Sequence, residues 1–138
     1  MDRCHRTLTD VDRRRMGTLL SRRDMSALGR PRLRFNLECE IEEASCIPSE
    51  LTPDSLVTMN STVVLSEPET GARRTCTLVY PEDRDLFADA VSILQELGGS
   101  LLGHSVGDTV EVRETGKVRR LLIESIIYQP EAAGDEEL

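Results

Sequence analysis

The sequence predicts an α+β chain: a short N-terminal antiparallel helical hairpin, coiled-coil-like, over residues 1–50, then an antiparallel β-sheet domain with one short helix over residues 51–138. Three observations carry this. Apolar residues recur about every four positions as far as Ala44, Pro48 and Pro53 then interrupt the chain, and from Leu56 onward the apolar period falls to two. Proline cannot continue a helix, so the break and the change of period mark one boundary. At 138 residues the chain has the size of one domain with an appendage, since a domain takes about 100 to 200 residues.

Thr9 opens the first helix, with Asp12 three residues on as a capping-box variant and Asp10 suited to the positive helix end. Val11, Met16, Leu19 and Leu20 give a loose apolar face interrupted by Arg13, Arg14 and Arg15, and the helix is expected to end near Leu20 or Ser21. Gly29 and Pro31 turn the chain. Leu33, Leu37, Ile41 and Ala44 then form a stripe at helical spacing, with Glu38, Glu42 and Glu43 around it. Past the linker, Val57, Met59, Ser61, Val63 and Leu65 alternate as a strand, Glu67 to Gly71 turns, and Cys76, Leu78 and Tyr80 alternate back as a hairpin. An acidic loop follows Pro81, and Ser100 to Gly103 reads as a single helical turn ended by Gly103. Thr109 to Arg113 and Val118 to Tyr128 flank the turn Glu114 to Lys117; the run Leu121, Leu122, Ile123, Ile126 and Ile127 predicts a central strand buried on both sides.

Composition narrows the function classes. The net charge of −8 divides unevenly: residues 1–34 carry ten arginines against four aspartates, +6, which leaves −14 on residues 35–138. Such a chain can meet a nucleic acid or an acidic groove with its first part. Phe35, Tyr80, Phe87 and Tyr128 are the only aromatic residues, too few for an aromatic ligand cage. No run is long and apolar enough for a membrane span, so a cytoplasmic monomer with no membrane contact is expected. Cys4, Cys39, Cys46 and Cys76 form no CxxC pair and read as free thiols, each a small buried hydrophobe, while the isolated His5 and His104 supply no zinc site. Glu38, Glu40, Glu42 and Glu43 spread around a helix and read as a solvated face rather than a metal cluster. Lys117 is the only lysine, no glycine-rich loop ends in it, and neither GxSxG nor HExxH occurs, so no enzyme and no cofactor are expected. Asn60-Ser61-Thr62 matches a glycosylation acceptor by chance.

Four ordered motifs point further: Val57-Thr58-Met59-Asn60-Ser61; Thr77-Leu78-Val79-Tyr80-Pro81; Leu101-Leu102-Gly103 with Ser105-Val106-Gly107-Asp108; and Tyr128-Gln129-Pro130-Glu131-Ala132-Ala133-Gly134-Asp135. Over residues 54–135 the chain resembles the Gre transcript-cleavage factor superfamily, and within it the family of bacterial regulators of nucleoside diphosphate kinase. The resemblance implies an FKBP-like sheet domain that binds RNA polymerase at the mouth of its secondary channel, with the helical hairpin as an arm. One departure is that Gln95 and Glu96 stand where the family commonly has a small residue followed by proline. The segment Ser92 to Gly103 is the candidate polymerase contact, through Ser92, Gln95, Glu96, Gly98, Leu101 and Leu102. A core-packing helix with Leu101 and Leu102 inward is its structural alternative.

Family cleavage factors hold a metal ion with an acid pair at the tip of a long hairpin. Here a helix of about 12 residues at roughly 1.5 Å each reaches only about 18 Å, and Ser21 to Pro31 offers Asp24 as its lone carboxylate. Transcript cleavage is therefore not expected. The arm tip is instead basic, with Arg14, Arg15, Arg22 and Arg23 beside Asp24. These arginines either meet the acidic channel or its nucleic acid, or pair with Glu38, Glu40, Glu42 and Glu43 across the hairpin. Three other readings are a local DNA or RNA binder, which lacks stacking aromatics beyond Phe35, a generic interaction module, and a prolyl isomerase, which too few aromatics oppose.

Overall fold

A computed structural model of the chain describes residues 6–20, 31–86, 88–114 and 116–134, the side chains of 31–36 and 114 excepted. Thr7–Thr9 (β1) runs directly into helix Asp10–Leu20 (α1), and helix Pro31–Glu43 (α2) runs into Ser45–Ile47 (β2). The Thr9 hydroxyl starts α1 by accepting the Asp12 N–H at 3.0 Å. Pro31 suits the first position of α2, where its missing N–H would have had no helical partner. Strands β1 and β2 pair in parallel, Thr7 to Ser45 through Thr9 to Ile47. This pair, three residues a side, is too short to show as an alternation in the sequence.

The body is a five-stranded sheet in the order β5-β4-β3-β7-β6. Its strands are Thr62–Ser66 (β3), Arg73–Val79 (β4), Ala90–Ser92 (β5), Thr109–Glu114 (β6) and Lys117–Tyr128 (β7), with helices Glu96–Leu101 (α3) and Pro130–Ala133 (α4). The β3–β4 and β6–β7 hairpins and the β3–β7 pair are antiparallel, while β5 joins β4 in parallel. Buried Leu8, Met16, Leu37 and Ile41 belong to the same apolar cluster as Met59, Leu78, Ile93, Leu101 and Ile123. Residue 50 therefore lies between two segments that share one core.

Four expectations are corrected. The strand expected from Val57 starts only at Thr62, because Asn60 takes a left-handed φ of 67° and Ser61 N–H closes a turn onto Thr58 O at 3.1 Å. Val57 and Met59 are buried all the same, which is why they alternate. The single turn expected at Ser100 is a helix from Glu96, ended by Gly103 at φ 83°. Strand β7 lies inside the sheet but is covered on one face: Ile123 and, past a bulge, Ile126 face the core opposite Leu65 and Val63, whereas Ile127, skipped by a second register shift, is 63% exposed. Finally, among the described cysteines Cys76 is buried but Cys39 and Cys46 are exposed, and Cys4 lies outside the described residues.

Helix α3 passes so close to β5 that a Cβ on Gly98 would lie 2.1 Å from the Ser92 carbonyl oxygen. Gly98→Ala should therefore destabilise the chain by about 3 kcal/mol, the upper end of the usual core-overpacking range, because the atom it meets is backbone. Gly17, in α1, has nothing within 4 Å of its would-be Cβ, and Gly17→Ala should stabilise by about 0.5 to 1 kcal/mol. Denaturant titration of the two variants checks the pair; equal effects would contradict this packing.

Candidate functional site

Where the arm meets the body, polar side chains are buried rather than solvated. Asp12, third residue of α1, is 3% exposed, and its Oδ2 accepts the backbone N–H of Met59 at 3.0 Å. The turn carrying Met59 is braced from the far side: Thr58 Oγ1 donates to Glu131 Oε1 of α4 at 2.7 Å and lies 2.9 Å from Ser61 Oγ. Buried Gln129, just before α4, donates from Nε2 to the carbonyls of Pro53 and Leu56 at 2.8 and 2.7 Å. A small cleft lies at this junction, lined by Asp12, Arg15, Ser49, Asn60 and Glu131 among others. Tyr80 projects toward the same group from the end of β4.

The electrostatics follow from this crowding. Burial raises the Asp12 carboxyl to about 6; the Met59 N–H opposes the rise, Glu131 adds to it, and Arg15 and Thr9 pull it down. Burial likewise holds the Tyr80 phenol proton on more tightly, reinforced by the Asp12 charge and opposed by Arg15. At neutral pH the carboxylate thus fastens a helix to a turn at a cost in desolvation.

A second buried group centres on the residue that precedes β1. Arg6, 6% exposed, donates from Nη1 to the carbonyls of Gly99 and Leu102 at 2.6 and 3.2 Å, and from Nη2 to Glu40 Oε2 of α2 at 2.5 Å. Gly103 permits the approach, since its Cβ would meet Arg6 Cβ at 3.0 Å. Nearby His104 is pushed below its usual 6.5 by burial and then by the Arg6 charge, with Asp108, 3.6 Å away, and Glu40 opposing.

The residues expected to contact polymerase differ in their exposure. Ser92, Gly98, Leu101 and Leu102 are buried in the chain's own core, and the close approach made by Gly98 is to β5. Gln95 is exposed, although its Oε1 accepts the Ser92 N–H at 2.7 Å, and Glu96 is half-buried. On the arm, Arg14 is exposed, but Arg15 is half-buried beside Asp12 and Tyr80 and belongs to the root of the arm rather than its tip. Arg22, Arg23 and Asp24 lie outside the described residues. Across the hairpin, Glu40 pairs with Arg6 rather than with a tip arginine, and Arg13 Nη2 reaches the Glu42 carbonyl at 3.5 Å. Sequence reasoning missed Arg6, Gln129 and Glu131 as joint residues, and saw Asp12 only as a cap. The one available signal was that Gln129 and Glu131 fall within a motif.

Comparison with known proteins agrees with this architecture. Residues 52–128 match the family model described as transcription elongation factor GreA/GreB, C-terminal. The chain is 35% identical over 130 residues to a regulator of nucleoside diphosphate kinase of Escherichia coli strain K12, covering 93% of each chain. It is 27% identical over 94 residues to transcription elongation factor GreA of Syntrophus aciditrophicus, covering 68% of this chain and 58% of that one. A solved GreA/GreB elongation factor from Nitrosomonas europaea superposes with a TM-score of 0.73 at 33% identity, covering 91% of this chain and all of the other. A structure of the transcription factor Gfh1 shares the fold, with a TM-score of 0.51 at 19% identity and coverage of 93% and 100%.

Folding raises the Asp12 carboxyl from 3.8 to about 6, so the folded state favours the protonated form. That stabilisation is fully present below pH 3.8 and is lost as pH rises through about 6, a change of up to about 3 kcal/mol at 1.4 kcal/mol per pH unit. Asp12→Asn carries no charge at any pH and can still accept the Met59 N–H. It should melt higher than the parent at pH 8 and within experimental error of it at pH 4. A constant gap between the two melting curves across that range would contradict the assignment.

Proposed function

Because this chain belongs to the GreA/GreB transcription elongation factor family, we propose that it binds RNA polymerase at the rim of the secondary channel through its sheet domain, places the helical arm in the channel, and regulates transcription without cleaving RNA. The family match over residues 52–128 supports the docking role. The carrying observation for the rest is the arm itself. Helix α1 has 11 residues, about 16 Å at a rise of roughly 1.5 Å per residue. The connecting segment from Ser21 to Arg30 holds Arg22, Arg23 and Arg30 around a lone acid, Asp24. A hard divalent ion held by protein needs several oxygen ligands, and the one carboxylate of this segment does not supply them.

What a short basic arm can do is occupy space and respond to charge. Occupancy would exclude longer-armed factors from the same opening. The arginines would be steered by acidic groups or by nucleic acid, an attraction that salt screens beyond about 8 to 10 Å. Of the contact residues expected on the body, Gln95 and Glu96 are the two with exposed side-chain surface.

Arg14, Arg22 and Arg23 changed together to Gln test the arm; Arg15 is left intact because it stands against Asp12. Binding to core RNA polymerase should weaken roughly ten-fold at low salt, as rim charges alter association, and converge with the parent at high salt, with the melting temperature unchanged. Backtracked complexes given the parent protein and magnesium should keep their RNA length. Shortened transcripts that vanish on Asp24→Ala, or polymerase binding that ignores the triple substitution, would sink this reading.

A further inference from the structure

Both helices of the arm grow from one small platform. Strand β1 leads straight into α1, α2 leads straight into β2, and the two strands are paired. Whatever fixes β1 against the body therefore fixes the direction of both helices. Thr7 N–H bonds to Gly103 O and Ser45 N–H to Arg6 O, each at 3.0 Å, while Gly103 is itself held within the body by its N–H to Val57 O at 3.0 Å. Such bonds pin position but have no side chain that spans from one helix to another.

We infer that Arg6 is a positioning residue that sets the direction of the helical arm on the body, by joining the carbonyls of Gly99 and Leu102 at the end of α3 to Glu40 on α2. The geometry suits that task. A planar guanidinium offers donors on separate nitrogens in a fixed fork, so one buried side chain holds α3 and α2 at a set angle and spacing. A lysine ammonium in its place could satisfy one side or the other. The arginine is buried while Glu40 is half exposed on its side chain, so the α3 side is the anchor and the α2 side is the adjustable end. Helix α3 also begins at Gln95 and Glu96, the candidate polymerase contact, and Arg6 grips its opposite end. Docking of the body and aim of the arm are then set through the same helix. That last consequence rests on the polymerase reading above, whereas the clamp itself does not.

The test measures arm direction in the full chain without polymerase. Cys4, Cys39 and Cys46 are changed to Ser, and Arg14→Cys on α1 and Ser125→Cys on the exposed face of β7 carry nitroxide labels. Pulsed electron resonance should give one narrow distance population with Arg6 present. Arg6→Met and Glu40→Ala should each at least double its width, and Arg6→Lys should fall between Met and the parent. Unchanged widths in variants that remain folded by circular dichroism would overturn the inference, leaving Arg6 a stabilising residue only. Should Arg6→Met fail to fold, the exposed Glu40→Ala decides alone in either direction. Polymerase affinity is measured separately: broadened distances with unaltered affinity uphold the clamp and count against the polymerase reading instead.

Discussion

A buried hydrogen bond from the Met59 N–H to the Asp12 carboxylate ties α1 to the receiving turn of the sheet domain, beside the Arg6 bonds to Gly99 and Leu102 and a shared apolar core. An isolated helix of 11 residues is marginal in water. Here α1 is stabilised by tertiary contact: its apolar residues Met16, Leu19 and Leu20 enter the common core, and its third residue reaches out of the helix to a turn of the body. Burying that carboxylate is costly unless it is well paired. Arg15 and the Met59 N–H favour its charge while Glu131 opposes it, and the raised proton affinity records the balance. The joint is therefore specific before it is strong.

The motifs that carry the family resemblance turn out to be parts of this seam. Val57 to Ser61 is the turn that receives Asp12, with Asn60 in the left-handed conformation. Leu101 and Leu102 fill the core, and Gly103 lets β1 approach. In the next motif the Ser105 N–H is held by Asp108 Oδ2 at 2.9 Å, which shapes the entry to β6. Gln129 and Glu131 brace the receiving turn from α4 and its approach. Short motifs of this kind specify how elements join.

Local pattern made much of the fold legible. The helical stripe of Leu37, Ile41 and Ala44, the cap at Thr9 and the β3–β4 hairpin are all set by neighbours in sequence, and each is present. Alternation reports burial, not backbone conformation, so Val57 and Met59 read as strand residues although Val57 precedes a turn and Met59 lies in it. The glycines of α3 obscured a helix because their reason lies in β5, where Ser92 leaves no room for a side chain. Least legible were the joint residues: Arg6 bonds to groups 93 and 96 positions away and Asp12 to one 47 away, and nothing local distinguishes them from solvated charges.

The central claim is that the root of the arm and the sheet fold as one cooperative unit. Native-state hydrogen exchange tests it most directly, because the amides of Met59, Thr7 and Ser45 each report a bond at the root, to Asp12, Gly103 and Arg6. The amides of Leu78 and Ile123 report the sheet domain, bonded to Ser61 and Asp108. The account predicts that both sets open only with global unfolding, with exchange free energies within about 1 kcal/mol of one another. Root amides that exchange several kcal/mol more readily than those of the sheet, on the scale of about 5 to 15 kcal/mol for a whole domain, would show an arm hinged on the body rather than built into it.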